Sequence, residues 1–384
     1  MIIGICGKTN VGKSSFFKAA TMIDVEISDR RFVTIKPNVG IGYVIVDCVC
    51  KEFKVKCNPK NSVCKNGKRF IPIKLVDVAG LIPGAHEGKG LGNKFLDDLR
   101  QASVFIHIVD ASGLTDAEGN PTQGYDPSFD IEFVKEEIDL WFVDVVKRAL
   151  GKISKAQSKA ELVKMLAEQL SGLEVKKEHI EAVLEKVWIS DVENFARMIR
   201  KISKPMLIAA NKIDLEQAQK NFEMLKEKFK DLTIVPTSAD YEIALKKAAE
   251  AGMIDYLPGD GFKILDESKL NEQQVKALEK IKTLIEKYGS TGVQDCLNKA
   301  VFDLLGYIVV YPVEDENKLC DKDGNILPDA FLMPKGSTAL DLAYKIHTEI
   351  GERFIAAIDA RTKRRLGKDY VLKNNDVIRI MFAR

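Results

Sequence analysis

No run of apolar residues in this chain approaches the roughly 18 that a helix needs to cross a bilayer, and no lipidation motif is present. Membrane-spanning and lipid-anchored classes are therefore not expected. An excess of one charge is missing too: 58 basic residues face 56 acidic ones for a net +2, so any basic surface must come from local clustering. Internal repeats and low-complexity tracts are absent. The cysteines number seven, an odd count, and Cys6 falls in an expected core strand, which argues against the disulfide framework of a secreted protein. Met1-Ile2-Ile3-Gly4-Ile5-Cys6-Gly7 shows no basic leader and no small-residue cleavage site, so it reads as a core strand and the expected location is the cytoplasm.

The 384 residues are 46% hydrophobic and 30% charged, an ordinary globular balance with material for two or three domains. Strand and helix signals alternate at the start, with an apolar strand, a Gly-rich turn, a helix from about Lys13, and strands near Val44–Cys50 and Ile71–Val76. That is the opening of a doubly wound α/β sheet. The continuous apolar run 104–110 predicts a strand buried on both faces. From 131 to 203 the spacing turns helical (Val134, Ile138, Trp141; Leu162, Leu166; Ile180, Val183, Val187) and predicts three helices inserted before strand signals resume at Met206 and Thr233. The expected domains are thus a sheet domain over 1–130 and 204–305, an inserted helical, coiled-coil-like domain over 131–203, and a small α+β domain over 306–384.

A strand followed by Gly7-Lys8-Thr9-Asn10-Val11-Gly12-Lys13-Ser14-Ser15 and a helix is a phosphate-binding loop: backbone N–H groups wrap phosphate and the helix dipole adds to their field. Lys13 is expected to reach the terminal phosphates and Ser14 to ligate Mg2+. Asp77, ending an apolar strand, suits a water-mediated magnesium ligand, and Gly80 an N–H donor to the γ-phosphate. Asn211-Lys212-Ile213-Asp214 follows another apolar strand. Asp214 can accept the N1–H and N2–H bonds of guanine, whereas adenine lacks that donor pair and would leave the carboxylate desolvated without partners. Thr237-Ser238-Ala239 can present a backbone N–H to guanine O6. Thr34, between the first helix and the second strand, is the candidate switch threonine for magnesium; an unliganded strand threonine is the alternative. GTP and GDP are therefore the expected ligands, with Lys13, Asn10, Thr34 and Gly80 the candidate catalytic set.

The stretch Asp77-Val78-Ala79-Gly80-Leu81-Ile82-Pro83-Gly84-Ala85-His86-Glu87-Gly88-Lys89-Gly90-Leu91-Gly92 resembles the Obg family of translation-factor GTPases, specifically its YchF branch. Thr34-Ile35-Lys36-Pro37-Asn38 and the helical insertion extend the resemblance. Pro334-Lys335-Gly336-Ser337-Thr338-Ala339-Leu340-Asp341-Leu342-Ala343 and Gly367-Lys368-Asp369-Tyr370-Val371-Leu372 are similar to a ubiquitin-like TGS domain. The resemblance implies a P-loop GTPase that hydrolyses nucleotide in the cytosol and associates with the ribosome or RNA through its TGS and helical domains. Several relatives replace the guanine-reading Lys and Asp and prefer ATP; this chain keeps Lys212 and Asp214, so GTP is expected and ATP is the rival. Leu81 stands where many GTPases carry a water-orienting glutamine, which implies slow intrinsic hydrolysis. Asn10 resembles the asparagine of potassium-activated GTPases and suggests K+ as a further cofactor. His86 could approach the γ-phosphate from the Gly-rich loop, or could be a solvated loop histidine.

Cys48, Cys50, Cys57 and Cys64 form Cys-x-Cys-x6-Cys-x6-Cys, enough thiolates for a tetrahedral zinc but without Cys-x2-Cys pairs; disulfides and free thiols stay open. From Arg353 to Arg384 nine basic residues outnumber three acidic ones, and Phe354 and Tyr370 lie among them. Such a cluster can meet RNA phosphates or form a solvated basic face. An RNA-binding module stabilised by nucleotide is accordingly a third reading. The oligomeric state is not legible, with a monomer the default.

Overall fold

The apolar run Val104–Asp110 forms a strand, β5, buried at every position, as expected of a strand covered on both faces. The computed structural model describes residues 1–22, 39–78, 100–153 and 158–383. Strand β1 (Ile2–Cys6) runs parallel to β5 on one side and to β4 (Lys68–Asp77) on the other, with Ile3 opposite both Val104 and Leu75. β6 (Met206–Asn211) and β7 (Thr233–Pro236) continue the parallel sheet beyond β5. With β2 (Val39–Asp47) outside β4, the order is β2-β4-β1-β5-β6-β7, and β3 (Val63–Lys65) pairs antiparallel with β4. From β1 the chain goes to the edge at β2, returns through β4 beside β1, and then crosses to build outward through β5, β6 and β7. In such sheets the carboxyl ends of the strands at the switch point are where ligands bind.

The chain divides into two compact units, one built mainly on Lys74–Ala300 with β1 and the helix Lys13–Thr21, the other on Gly42–Ile73 with Val301–Arg384. Strand β4 belongs to both. In the first unit the region expected to hold three helices holds four, Ser128–Lys152, Lys159–Gln169, Lys177–Leu184 and Val192–Ser203. The fourth escapes the spacing because its inward face mixes Phe195, Ala196 and Ile199 with the polar residues Arg200 and Ser203. Buried Asp139 accepts from Arg200 at 2.5 Å and fixes that helix on Ser128–Lys152. The apolar stripes of these helices form one continuous core with Phe105, Val109 and Ile208 of the sheet. An antiparallel pair, β8 (Ile254–Tyr256) and β9 (Phe262–Ile264), precedes the helix Glu272–Tyr288.

In the second unit a five-stranded sheet has the order β11 (Phe331–Pro334), β10 (Tyr307–Val313), β14 (Asp376–Phe382), β12 (Phe354–Asp359), β13 (Arg365–Leu366), and only the β10–β14 pair is parallel. The helix Ala339–Ile346 starts with a reciprocal cap in which Thr338 and Asp341 satisfy each other's backbone N–H. It buries Ala339 and Leu342 against Val310, Met333 and Ile378. This is the α+β arrangement expected of that segment. Among the described residues no helix is long and apolar enough to cross a membrane.

His107 sits in the middle of β5, 1% exposed. Burial, and secondarily the charge of Lys8, lowers its pKa from 6.5 to about 3. The folded chain therefore holds a neutral imidazole where the unfolded chain is protonated below pH 6.5. Its contribution is intact above that pH and is lost as pH falls, at up to about 1.4 kcal/mol per pH unit for one proton. His107→Leu should flatten the fall in urea-unfolding stability between neutral pH and pH 4; equal slopes for the two proteins would refute this.

Candidate functional site

The turn between β1 and the helix Lys13–Thr21 is shaped by two glycines that tolerate no side chain. Gly7 has φ +149°, and a Cβ there would lie 2.6 Å from the Ile108 carbonyl oxygen; Gly12 has φ +90°, and a Cβ would lie 2.3 Å from Asn211 Nδ2. Val11 is buried, while Thr9, Asn10 and Ser14 are exposed and Ser15 is half-buried. Lys13 Nζ donates to the Val78 carbonyl at 2.8 Å and lies 3.9 Å from Asp77 Oδ1, so the loop lysine and the carboxylate ending β4 meet.

Asn211 is buried at the end of β6 and uses both ends of its amide. Nδ2 donates to the Val11 carbonyl at 2.9 Å, and Oδ1 accepts from the Ala239 N–H at 3.1 Å. The next residue, Lys212, in the left-handed region at φ +63°, donates to the Asn10 carbonyl at 3.2 Å and to Asp110 at 2.8 Å. Burial alone would raise the Asp110 carboxyl, yet Lys212, Ser112 and Thr115 together hold it below its ordinary value. Asp214 accepts from the Ser238 hydroxyl at 2.6 Å. Three sequence-distant segments, 7–15, 211–214 and 237–239, therefore share one edge of the sheet and are bonded to one another.

Sequence reasoning missed the segment that covers this turn. The Lys8 side chain points inward: Nζ lies 2.7 Å from Asp130 Oδ2, donates to the Thr115 carbonyl at 3.0 Å, and sits 4.2 Å from the centre of the Tyr125 ring. Only its backbone faces the turn. Thr9 Oγ1 donates to the Glu118 carbonyl at 2.8 Å and Asn10 Nδ2 to the Gly119 carbonyl at 2.9 Å. The available signal was the turn-rich run Asp116-Ala117-Glu118-Gly119-Asn120-Pro121 directly after a buried strand. A second omission is Ser290-Thr291-Gly292. Ser238 N–H donates to the Thr291 carbonyl at 2.9 Å, and a Cβ on Gly292 would lie 1.9 Å from the Pro236 carbonyl oxygen. This segment backs the 237–239 turn.

Thr34, Gly80, Leu81 and His86 lie outside the described residues. Cys48, Cys50, Cys57 and Cys64 come together in the second unit, with all four sulfurs within 4.8 Å of one another. Phe354 and Tyr370, read as stacking candidates, instead pack against the core of the C-terminal sheet, and Tyr370 donates to Asp376. The basic cluster is also partly spent internally, since Arg361 pairs with Glu52 at 2.6 Å and Arg379 with Glu316 at 2.7 Å.

Comparison with known proteins agrees with this geometry. Residues 2–143 match the family model of the 50S ribosome-binding GTPase, residues 209–315 that of the Obg-like GTPase YGR210-like G4 motif-containing domain, and residues 322–382 that of the TGS domain. A GTP-binding protein of Methanocaldococcus jannaschii is 56% identical over 390 residues, covering 100% of this chain and 99% of the relative. The chain belongs to the Obg-like P-loop GTPases. The crystal structure of a GTP-binding protein from Pyrococcus horikoshii superposes over the whole of both chains, with TM-score 0.76 and 41% identity. The ribosome-binding ATPase YchF of Bacillus subtilis is 28% identical, covering 99% of this chain and 98% of the relative.

Within this P-loop GTPase, Lys8 and Asp130 are a buried ion pair, at 3% and 5% side-chain exposure. Burial pushes the Asp130 carboxyl up, against the pull of Lys8. Removing one partner leaves an uncompensated buried charge. Lys8→Met should therefore lower unfolding stability by about 3 kcal/mol or more, and adding Asp130→Leu should restore part of it. A single variant as stable as the parent in chemical unfolding would count against that assignment.

Proposed function

We propose that this chain binds GTP with magnesium and hydrolyses it slowly, acting as a nucleotide-dependent switch on the ribosome or its RNA. The observation that carries the choice of base is the Asn211–Asp214 segment: Asn211 holds it against the phosphate-binding turn, and Asp214 faces the Ser238 turn. A guanine placed between them would give its N1–H and N2–H groups to Asp214, and its O6 would compete for an N–H of the 237–239 turn that now goes to Thr291 or Asn211. Adenine would offer Asp214 no such donor pair, leaving it only the Ser238 hydroxyl. The names of the M. jannaschii and P. horikoshii relatives support GTP.

On this reading the backbone of Gly7, Lys8, Thr9, Asn10, Val11, Gly12, Lys13, Ser14 and Ser15 wraps the phosphates. Lys13 exchanges the Val78 carbonyl for a phosphate oxygen. The oxygens of Ser14 and Thr34, with Asp77 through water, form a hard donor set suited to Mg2+, which would neutralise charge on the β- and γ-oxygens. Gly80 donates its N–H to the γ-phosphate. Asn10 spends its amide nitrogen on Gly119, which leaves its side-chain oxygen directed to a monovalent cation such as K+. Leucine at 81 cannot orient water, so the uncatalysed step stays slow until a partner or the cation acts. Zinc, on the four thiols, would be held by residues of the second unit. The sheet domain over 1–130 and 204–305, the helical region 131–203 and the TGS domain over 306–384 are the parts whose posture the nucleotide would set. The cytoplasm is the expected location, and a monomer the expected state.

A second reading has ATP as the working substrate, favoured by the name of the B. subtilis relative, a ribosome-binding ATPase. Competition binding separates the two. Unlabelled GTP should displace a fluorescent guanine nucleotide at least a hundredfold better than ATP, and Asp214→Ala should erase most of that ratio; equal displacement by ATP would establish the second reading. Turnover should rise severalfold when Na+ is replaced by K+, and Asn10→Ala should abolish the rise. Co-sedimentation with ribosomes should differ between the GDP form and a non-hydrolysable GTP analogue; identical pelleting would remove the switch.

A further inference from the structure

The segment 48–67 holds four of the seven cysteines and bonds to residues 321–330 of its own unit. Its local folding explains how the sulfurs meet. Asn66 and Gly67, at φ +52° and +70°, turn β3 back onto β4, and Cys48 N–H, just past β2, donates to the Gly67 carbonyl at 2.9 Å. That bond sets Cys64 on β3 beside Cys48, while the single helical turn Cys50–Phe53 brings Cys50 round to the same point. Cys48 Sγ lies 4.0 Å from Cys57 Sγ, and Cys50 Sγ lies 3.8 Å from Cys64 Sγ. A tetrahedron of sulfurs about 2.3 Å from a central zinc has edges of about 3.8 Å. A disulfide would require about 2.05 Å.

The surroundings supply the charge such a centre needs. Four thiolates around Zn2+ leave a net charge of −2, and Lys51, Lys54 and Lys56 line the same cleft as Cys50, Cys57 and Cys64. Beneath them Arg69 is fully buried. It donates to Ser62 Oγ at 3.0 Å and the Leu327 carbonyl at 3.1 Å, both neutral, and its Nε has no hydrogen-bond partner. Among the described residues no carboxylate forms an ion pair with it. A buried guanidinium without a counter-anion costs several kcal/mol. Arg69 stands opposite Cys64 in the β3–β4 pairing, so a dianionic zinc–thiolate centre there would supply a counter-anion in addition to Asp329, on which the Arg69 charge also acts.

We propose that Cys48, Cys50, Cys57 and Cys64 bind one zinc ion as a tetrathiolate, and that this ion, through Arg69, shapes the surface on which segment 319–330 of the C-terminal part docks. The loop between the last two cysteines forms that surface. Asn58 N–H donates to the Ile326 carbonyl at 3.1 Å, Lys60 N–H to the Pro328 carbonyl at 2.7 Å, and Lys60 Nζ lies 2.6 Å from Asp321. Arg69 adds its bond to Leu327 and stacks over Tyr311, 5.3 Å from the ring centre. A twenty-residue lysine-rich loop has too little apolar area to hold this shape alone, and a metal staple replaces the missing core.

The test uses the full chain purified under reducing conditions. Elemental analysis should find one zinc per chain, with the four thiols resistant to alkylation until a chelator is added. Co2+ exchanged into the site should show the intense visible bands of tetrahedral thiolate coordination. Chelation should accelerate proteolysis within 51–61 and 316–330, and Arg69→Met should weaken zinc retention against a chelator by about tenfold or more. Cys57→Ser and Cys64→Ser should lose the metal; if they do not fold, stoichiometry and alkylation of the parent chain decide. Absence of zinc with all thiols open to alkylation, or a native mass short by the hydrogens of two disulfides, would overturn the proposal. The inference does not rest on the GTPase reading, and nucleotide affinity measured on the same sample separates the two outcomes.

Discussion

The nucleotide-side architecture depends on one buried side chain. Asn211 donates to the carbonyl of Val11 and accepts from the N–H of Ala239, so a single amide ties the phosphate-binding turn to the base-side turn. Neither bond can be supplied by water, because the residue is 3% exposed. An unmet polar group there would cost about 1–3 kcal/mol. The bond to Val11 also accounts for glycine at position 12, where Asn211 Nδ2 occupies the space of a Cβ. Lys212 repeats the device one residue later by reaching Asn10 and Asp110.

Around that amide the first unit adds layers of charge control. Lys8, Asp130 and Tyr125 anchor the turn from below, and the 116–121 loop closes over it through Thr9 and Asn10. Lys13 is kept next to Asp77, a cation and an anion poised at the same end of the sheet. On the other flank, buried Glu242 accepts from Tyr256 and Thr291 and holds the segment that backs Ser238. Asn211, Lys212 and Asp214 are thus each bonded to a buried partner (Val11 and Ala239, Asp110, and Ser238), which is how a site on loops acquires the precision of its scaffold.

The second unit solves a different problem. Its C-terminal sheet has a core of its own, but the cysteine-bearing segment relies on backbone bonds to 326–330, ion pairs to Asp321 and Arg361, and the four converging sulfurs. Arg69 joins these features because it lies on β4 between the thiols and Leu327. The same strand ends at Asp77, so one length of sheet carries both the buried arginine and the carboxylate of the nucleotide side.

The order and spacing of residues alone determined the glycine turn 7–15, the strands that end at Asp77 and Asn211, the alternation that yields a parallel sheet and the family to which the chain belongs. These were legible because each depends on local chemistry, such as glycine where φ is positive or an apolar run where a strand is covered on both faces. The fourth helix was hidden because its inward face mixes Phe195, Ala196 and Ile199 with buried Arg200 and Ser203, and Arg200 finds its partner, Asp139, on another helix. The 116–121 loop, the Ser290–Gly292 support and the inward turn of Lys8 were likewise beyond sequence reading, since their bonds join residues about a hundred or more positions apart, or half a domain away. Only the tertiary structure decided that Cys-x-Cys-x6-Cys-x6-Cys closes to one point, that Phe354 and Tyr370 pack inward, and that Arg69 is buried beside the thiols. Spacing along a chain fixes which groups are available. Convergence depends on which strands pair, and that is settled by the burial of the whole core.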